Sequence, residues 1–124
     1  MMKMVPGFLV VSSIVLGSCG SFGGYEGTIA FESYRDGNAE VYLIDSNGEN
    51  IRNITNNEAY DGTPSWCPDG SQLVITTERN GNPEVYTISA DGAEVNQITD
   101  GGGFNVIPDW SPDGSHIMFS SNRS

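Results

Sequence analysis

Pro64-Ser65-Trp66-Cys67-Pro68-Asp69-Gly70-Ser71 and Pro108-Asp109-Trp110-Ser111-Pro112-Asp113-Gly114-Ser115 are the same phrase written twice, 44 residues apart. The offset holds without a gap on either side. Glu40-Val41-Tyr42 returns as Glu84-Val85-Tyr86, Ile54-Thr55 as Ile98-Thr99, and Arg35 as Arg79 and Arg123. Laid over one another, residues 29–80 and 73–124 are identical at 17 of 52 positions. A period of about 40–45 residues is that of a four-stranded propeller blade.

The strands of one repeat can be read between its turn signals. Residues 64–67 make a short first strand. Cys67-Pro68-Asp69-Gly70 is a turn, with Pro presetting φ at the second position and Gly tolerating positive φ at the fourth. Gln72 to Glu78, rich in β-branched residues, is the second strand. Asn80-Gly81 closes a hairpin into the third strand, Glu84 to Ser89. Asp91-Gly92 turns into the fourth, Glu94 to Thr99, and Asn47-Gly48 makes the matching turn in the preceding repeat. After residue 20 every helical window is broken by Gly, Asn or Pro. The second strand is apolar on both faces: Leu73 and Ile75 on one, Val74 on the other. Such a sheet needs cover on both sides, which radially stacked blades provide.

Composition narrows the chemistry. The chain of 124 residues has room for one small domain. It carries 5 Lys+Arg against 16 Asp+Glu, a net charge of −11, which disfavours nucleic acid as a partner. One His and two Cys fall short of the roughly four ligands of a structural zinc site, and no metal or cofactor is expected.

Residues 1–18, MMKMVPGFLVVSSIVLGS, read as a secretory signal peptide: one Lys, an apolar run from Val5 to Leu16, then small residues. The run is too short to span a bilayer as a helix, which needs about 20 residues. Leu16-Gly17-Ser18-Cys19 resembles the bacterial lipobox. That resemblance implies cleavage before Cys19, lipidation of its sulfur and an envelope location on the periplasmic side, with the membrane reached through the lipid alone. An ordinary signal cut near the same place is the alternative. Residues 19–27 would then be the lipidated Cys and a flexible Gly/Ser tether. Processing leaves four Arg against sixteen acids, and Cys67 without an intramolecular partner.

The phrase P-x-W-[S/C]-P-D-G-S, an apolar strand, N-G-N-P-E-V-Y, then D-G and I-T, is similar to the WD-like β-propeller repeat of the TolB family. The same repeat type occurs in propellers of prolyl-oligopeptidase-type enzymes. The resemblance covers residues 28–124, in copies 28–63, 64–107 and 108–124. It implies an all-β fold of four-stranded antiparallel blades. It assigns structural roles to Pro64, Trp66, Pro68, Asp69 and Gly70, and to Pro108, Trp110, Pro112, Asp113 and Gly114. Cys67 stands where the family has Ser, and the α/β domain that precedes the TolB propeller is absent from this sequence.

The first copy shows no Pro-x-Trp, so it is expected to supply three strands, the second four and the third two. Nine strands make an incomplete, open array of little more than two blades, against about four to eight blades in a closed ring. The chain is expected to be a piece of a longer protein, or to complete itself with other chains through its exposed blade faces.

No catalytic set emerges from the residues. His116, the lone His, aligns with Gln72 at a strand start, with no orienting acid or nucleophile indicated. There is no G-x-S-x-G. Asp45-Ser46-Asn47-Gly48 fails the EF-hand spacing, and Gly101-Gly102-Gly103 opens no helix and so cradles no phosphate. Trp66 and Trp110 read as packing residues rather than ligand platforms. The expected function is binding: a non-enzymatic, envelope-associated interaction module whose partners are envelope proteins or cell-wall components. Two alternatives stay open, the propeller portion of a prolyl-oligopeptidase-type peptidase and a glycan-binding propeller.

Overall fold

The computed structural model describes the backbone of residues 10–15 and all of residues 27–124. Cys19 and most of its tether lie outside the described residues. Among the described residues ten strands follow one another: β1 (Val10–Val15), β2 (Thr28–Ser33), β3 (Glu40–Asp45), β4 (Arg52–Asn53), β5 (Asp61–Trp66), β6 (Gln72–Thr77), β7 (Glu84–Ser89), β8 (Val95–Gln97), β9 (Asn105–Trp110) and β10 (Ile117–Ser121). They form three antiparallel sheets ordered β1-β2-β3-β4, β5-β6-β7-β8 and β10-β9. No helix occurs among the described residues. The all-β, blade-like architecture is the one the repeat predicts, and it is a fragment of a propeller.

Residues 28–124 hold the nine expected strands, three, four and two, and a further strand among the described residues, Val10–Val15, comes from the stretch read as a signal peptide. The first blade does not lack its first strand, because Val10–Val15 pairs along β2 in the place that β5 takes beside β6. Its pairing is interrupted between Val11 and Ser13, as that of β5 is between Gly62 and Ser65. The segment shows none of the Pro-x-Trp signature. Its β-branched residues nonetheless suit a strand, and an unpaired β2 edge accepts one.

The break in β5 has a definite cause. Thr63 and, one repeat on, Ile107 adopt left-handed backbone angles, φ 49° and 53°, uncommon for β-branched residues. The turned backbone aims an N–H at the preceding blade. Thr63 N donates to Glu32 Oε2 at 3.2 Å, and Ile107 N donates to Thr76 Oγ1 at 3.1 Å. Glu32 and Thr76 are themselves one repeat apart, so the same link joins the first blade to the second and the second to the third. Gly62 sits under this link, where a Cβ would run into the Glu32 carboxylate and the Tyr60 hydroxyl.

The core lies between the first two blades. Ala30, Val41 and Leu43 of the first face Trp66, Leu73, Ile75, Tyr86 and Ile88 of the second. Val74 and Val85, on the other face of the second blade, are also fully buried. At the outer rim Gly92 (φ +77°) closes the β7–β8 turn against Ile54, whose carbonyl oxygen would stand 2.7 Å from an added Cβ. Its repeat counterpart Gly48 (φ +86°) has open space around it. Gly92→Ala is therefore expected to cost about 2–3 kcal/mol and Gly48→Ala about 1 kcal/mol, read from urea midpoints of the two variants.

Candidate interaction surface

Each blade presents two kinds of ends. The strands are antiparallel, so the β5–β6 turn and the β7–β8 turn emerge at the same end. There Ala90 N donates to Ser71 O at 3.1 Å. The neighbouring blade repeats the arrangement, and the two lie together: a Cβ on Gly114 would be 3.5 Å from the Cys67 sulfur. This end gathers Asp45 and Glu49 from the first blade, Asp69, Asp91 and Glu94 from the second and Asp113 from the third.

Their carboxylates are held by short local bonds. Asp69 accepts from Ser71 N at 2.9 Å and from the Ser71 hydroxyl at 2.7 Å. Asp113 accepts from the Ser111 hydroxyl at 2.6 Å, the Ser115 hydroxyl at 2.7 Å and Ser115 N at 3.0 Å. Asp91 accepts from Ala93 N at 3.0 Å and the Ser89 hydroxyl at 2.5 Å. These donors favour the charged form. Bonds from Ser111 and Ser115 hold Asp113 down at about 2. The Ser71 backbone and hydroxyl lower Asp69, and the Ser89 hydroxyl and Ala93 backbone lower Asp91. All three are held below the ordinary aspartate range and stay charged to lower pH than a free aspartate. At this end of the second blade Ser71, Gln72, Ser89, Glu94 and Asn96 line a shallow polar recess.

The residues singled out by the repeated phrase divide by position. Pro64 and Pro108 are buried in β5 and β9, whereas Pro68, Asp69, Pro112 and Asp113 are exposed at the acidic end. Gly70 and Gly114 take φ of 73° and 71° and close their turns with N–H bonds to Cys67 O at 2.8 Å and Ser111 O at 2.9 Å. Trp66 is buried in the core, while Trp110 is half-buried. Neither indole N–H finds a partner. Burial pushes the Cys67 thiol up, which makes it a poor nucleophile. His116 Nδ1 lies 2.7 Å from the Ser115 hydroxyl on the exposed turn.

Three further carboxylates sit where sequence reading assigned no role. Glu84, buried in β7, accepts from the Thr99 hydroxyl, from Gly101 N at 2.8 Å and from Asn105 Nδ2 at 2.9 Å. Glu40 repeats this with the Thr55 hydroxyl and Asn57 N at 2.8 Å. The paired Glu and Thr at the 44-residue offset were the available signal. Asp61 is fully buried and takes Arg79 Nη2 at 3.1 Å on Oδ1, while Oδ2 is unpartnered. Burial raises its pKa against the pull of Thr77 and Arg79. Asn105 replaces it one repeat on. Among the described residues no three His, Cys, Asp or Glu side chains converge to hold a metal ion.

The third blade is exposed on its far side. Met118 is 62% exposed, whereas its repeat counterparts Val74 and Ala30 are fully buried. Ile107 and Phe104 are exposed as well.

Comparison with known proteins agrees with this architecture. The model of the TolB beta propeller domain matches residues 16–124. The Tol-Pal system protein TolB of Geobacter sulfurreducens is 39% identical over 54 residues, which is 44% of this chain and 12% of that protein. A TolB homolog of Chlorobaculum tepidum is 40% identical over 48 residues, 39% of this chain and 11% of that one. The chain thus aligns with only about an eighth of these relatives. Among solved structures, a putative TolB from Agrobacterium tumefaciens superposes with a TM-score of 0.73 and 25% identity, covering 77% of this chain and 35% of the other. TolB from Acinetobacter baumannii gives 0.68 and 26%, covering 81% and 25%. With the family model matching most of its length and the propeller fold shared, this chain belongs to the TolB beta propeller domain family.

Proposed function

We propose that the chain is a non-catalytic protein-interaction module of the bacterial cell envelope, which docks its partner on the acidic end of its blades. The observation that carries the reading is the gathering of six turn carboxylates at one end of the stacked blades, three of them fixed by serine and backbone donors. Function in repeat folds is grafted onto such loop ends. The relatives named as Tol-Pal system proteins favour an envelope protein as the partner, and the charge favours one with a basic docking face. Recovery of that partner from envelope extracts should be strong at low salt and fall as salt screens the carboxylates. Asp69→Asn with Asp113→Asn should weaken it further without altering the far-UV spectrum. Recovery unaffected by salt and by both substitutions, or peptide hydrolysis that survives His116→Ala, overturns the reading.

The lipobox resemblance supports a mature N-terminus at Cys19 and a lipid anchor in the envelope, since two or more acyl chains hold a protein firmly to a membrane; cleavage there takes β1 away with the leader, so that β2 edges the first sheet of the mature chain. Metabolic labelling with a fatty acid should mark the wild-type chain and leave Cys19→Ala unlabelled; equal labelling of both removes the anchor from the proposal.

A further inference from the structure

The joint between the first and second blades and the joint between the second and third share one backbone bond. Asp61 N donates to Ala39 O at 3.0 Å, and 44 residues on Asn105 N donates to Pro83 O at 2.9 Å. Ala39 and Pro83 directly precede Glu40 and Glu84. The bond thus brings residue 61 to Glu40 as it brings residue 105 to Glu84, and the charge of Glu40 acts on Asp61. In the second joint the side chains form a donor–acceptor pair, Asn105 Nδ2 giving to Glu84 Oε2 at 2.9 Å. In the first joint an acid stands where the amide stands, and an ionised acid has no hydrogen to donate.

The surroundings of that acid oppose its ionisation. Asp61 is fully buried. Arg79 Nη2 reaches only Oδ1, at 3.1 Å, and no donor among the described residues reaches Oδ2. A buried carboxylate with a bare oxygen is strongly disfavoured. Burial pushes the Asp61 carboxyl up and Glu40 adds to the push, against the pull of Thr77 and Arg79. Glu40, itself buried, is well supplied with donors. Asn57 N at 2.8 Å and Asn38 Nδ2 at 3.0 Å give to its Oε1, and the Thr55 hydroxyl gives to Oε2. The other charged groups of this joint are engaged elsewhere. Glu32 of β2 accepts from the Tyr60 hydroxyl at 3.0 Å and Thr63 N at 3.2 Å, and Glu78 beyond β6 is exposed.

We propose that Asp61 keeps a proton at neutral pH and donates it from Oδ2 in a hydrogen bond to the Glu40 carboxylate, taking the part that the Asn105 amide plays toward Glu84. The neutral acid still accepts from Arg79 through Oδ1, so both of its oxygens are satisfied. The first joint is then a clasp closed by a proton, and the second is closed by an amide that does not titrate. Raising the pH until the proton leaves sets two buried carboxylates against one guanidinium and loosens the first blade from the second. Asp61 opens β5 at the end opposite the β5–β6 turn, so the clasp does not depend on which partner the acidic end takes.

The direction of the pH effect follows from linkage. An acid held more tightly protonated in the fold than in the unfolded chain gives its full stabilisation below its unfolded pKa, about 4 for Asp. That contribution declines as pH rises and is lost once the folded carboxyl ionises. An Asp61 kept ionised by Arg79 gives the opposite sign, a contribution that grows as pH rises through the acid range.

The test uses the full 124-residue chain with its aspartate carboxyls labelled with carbon-13, followed by infrared spectroscopy at neutral pH. The wild-type chain should show the C=O stretch of one protonated aspartate, and Asp61→Asn should remove it. In urea titrations the folding equilibrium constant of the Asp61→Asn chain should gain on wild type by about ten-fold per pH unit above about pH 4, until Asp61 ionises. Absence of the protonated band from wild type, its survival in Asp61→Asn, or a stability difference of the opposite sign overturns the proposal. So does an Asp61→Asn chain that fails to fold at neutral pH, since an amide serves at position 105. Recovery of an envelope partner enters none of these measurements, so failure of the function proposed above and failure of the clasp are told apart.

Discussion

Glu84→Ala is expected to remove about 3–5 kcal/mol of stability, a large share of what holds a small domain together. The carboxylate is 3% exposed and accepts from the Thr99 hydroxyl, Gly101 N and Asn105 Nδ2. Those groups belong to the end of the second blade, the connecting loop and the start of the third. Truncation strands all three donors in a buried place, and each unsatisfied group costs about 1–3 kcal/mol, not additively. Thr99 would also lose the partner of a hydroxyl that accepts from Val85 N at 2.9 Å. A urea titration followed by the fluorescence of the buried Trp66 reads the loss. A midpoint within error of wild type would show that the carboxylate is dispensable. The same site sets an acid limit. Burial pushes Glu84 up, but the bonds from Thr99, Gly101 and Asn105 and the charge of Arg123 outweigh it, so its pKa in the fold lies below the ordinary glutamate value. A carboxylate lowered on folding stabilises the native state above its unfolded pKa, and that contribution is lost as pH falls through the folded one. Glu84→Gln should therefore flatten the acid limb of the stability curve.

Ile75→Ala carries the second large effect, about 2–5 kcal/mol. Ile75 is fully buried in the core between the first two blades, where both sheets are held in register and little can collapse into the vacated volume. Met118→Ala lies one strand position away in the repeat, at the counterpart of Val74, but is 62% exposed. It is expected to change stability by less than about 0.5 kcal/mol. Equal midpoint shifts for the two would mean that the third blade is covered in solution as the second is in the structure.

Strand by strand, the residues alone could be read to different depths. The third strand, Glu84–Ser89, is bounded as the Asn-Gly and Asp-Gly turns predict, because alternation and turn chemistry agree there. β5 begins at Asp61 rather than Pro64. Tyr60-Asp61-Gly62-Thr63 carries no strand signature. That stretch is fixed in place by tertiary bonds, Arg79 to Asp61 and Thr63 N to Glu32. β8 is shorter than Glu94 to Thr99, since the Thr99 hydroxyl turns inward to Glu84. β1 was hidden for a different reason. Its apolar run after a basic start has the composition of a leader, and composition says nothing about an edge waiting in β2. The acidic end was half legible: the Pro-Asp-Gly turns announce themselves, but that turns from three blades share one end follows only from the stacking. Glu40 and Glu84 looked like members of a repeated strand, and their hub role needed the loop of the next blade to come into view.

The inter-blade link at Thr63 and Ile107 has a consequence for how the molecule breathes. Each blade is fastened to its predecessor by the same few bonds, so opening is expected to proceed blade by blade from the less covered end, as in other arrays where each unit touches only its neighbours. β6 and β7 are buried almost throughout, whereas β10 alternates half-buried and exposed residues. Amide protons of β6 and β7 should exchange only through global unfolding. Those of β10, and the Ile107 amide that holds β9 to Thr76, should exchange orders of magnitude faster through a local opening that leaves the first two blades intact. The third blade is thus expected to be the first part of the array to open.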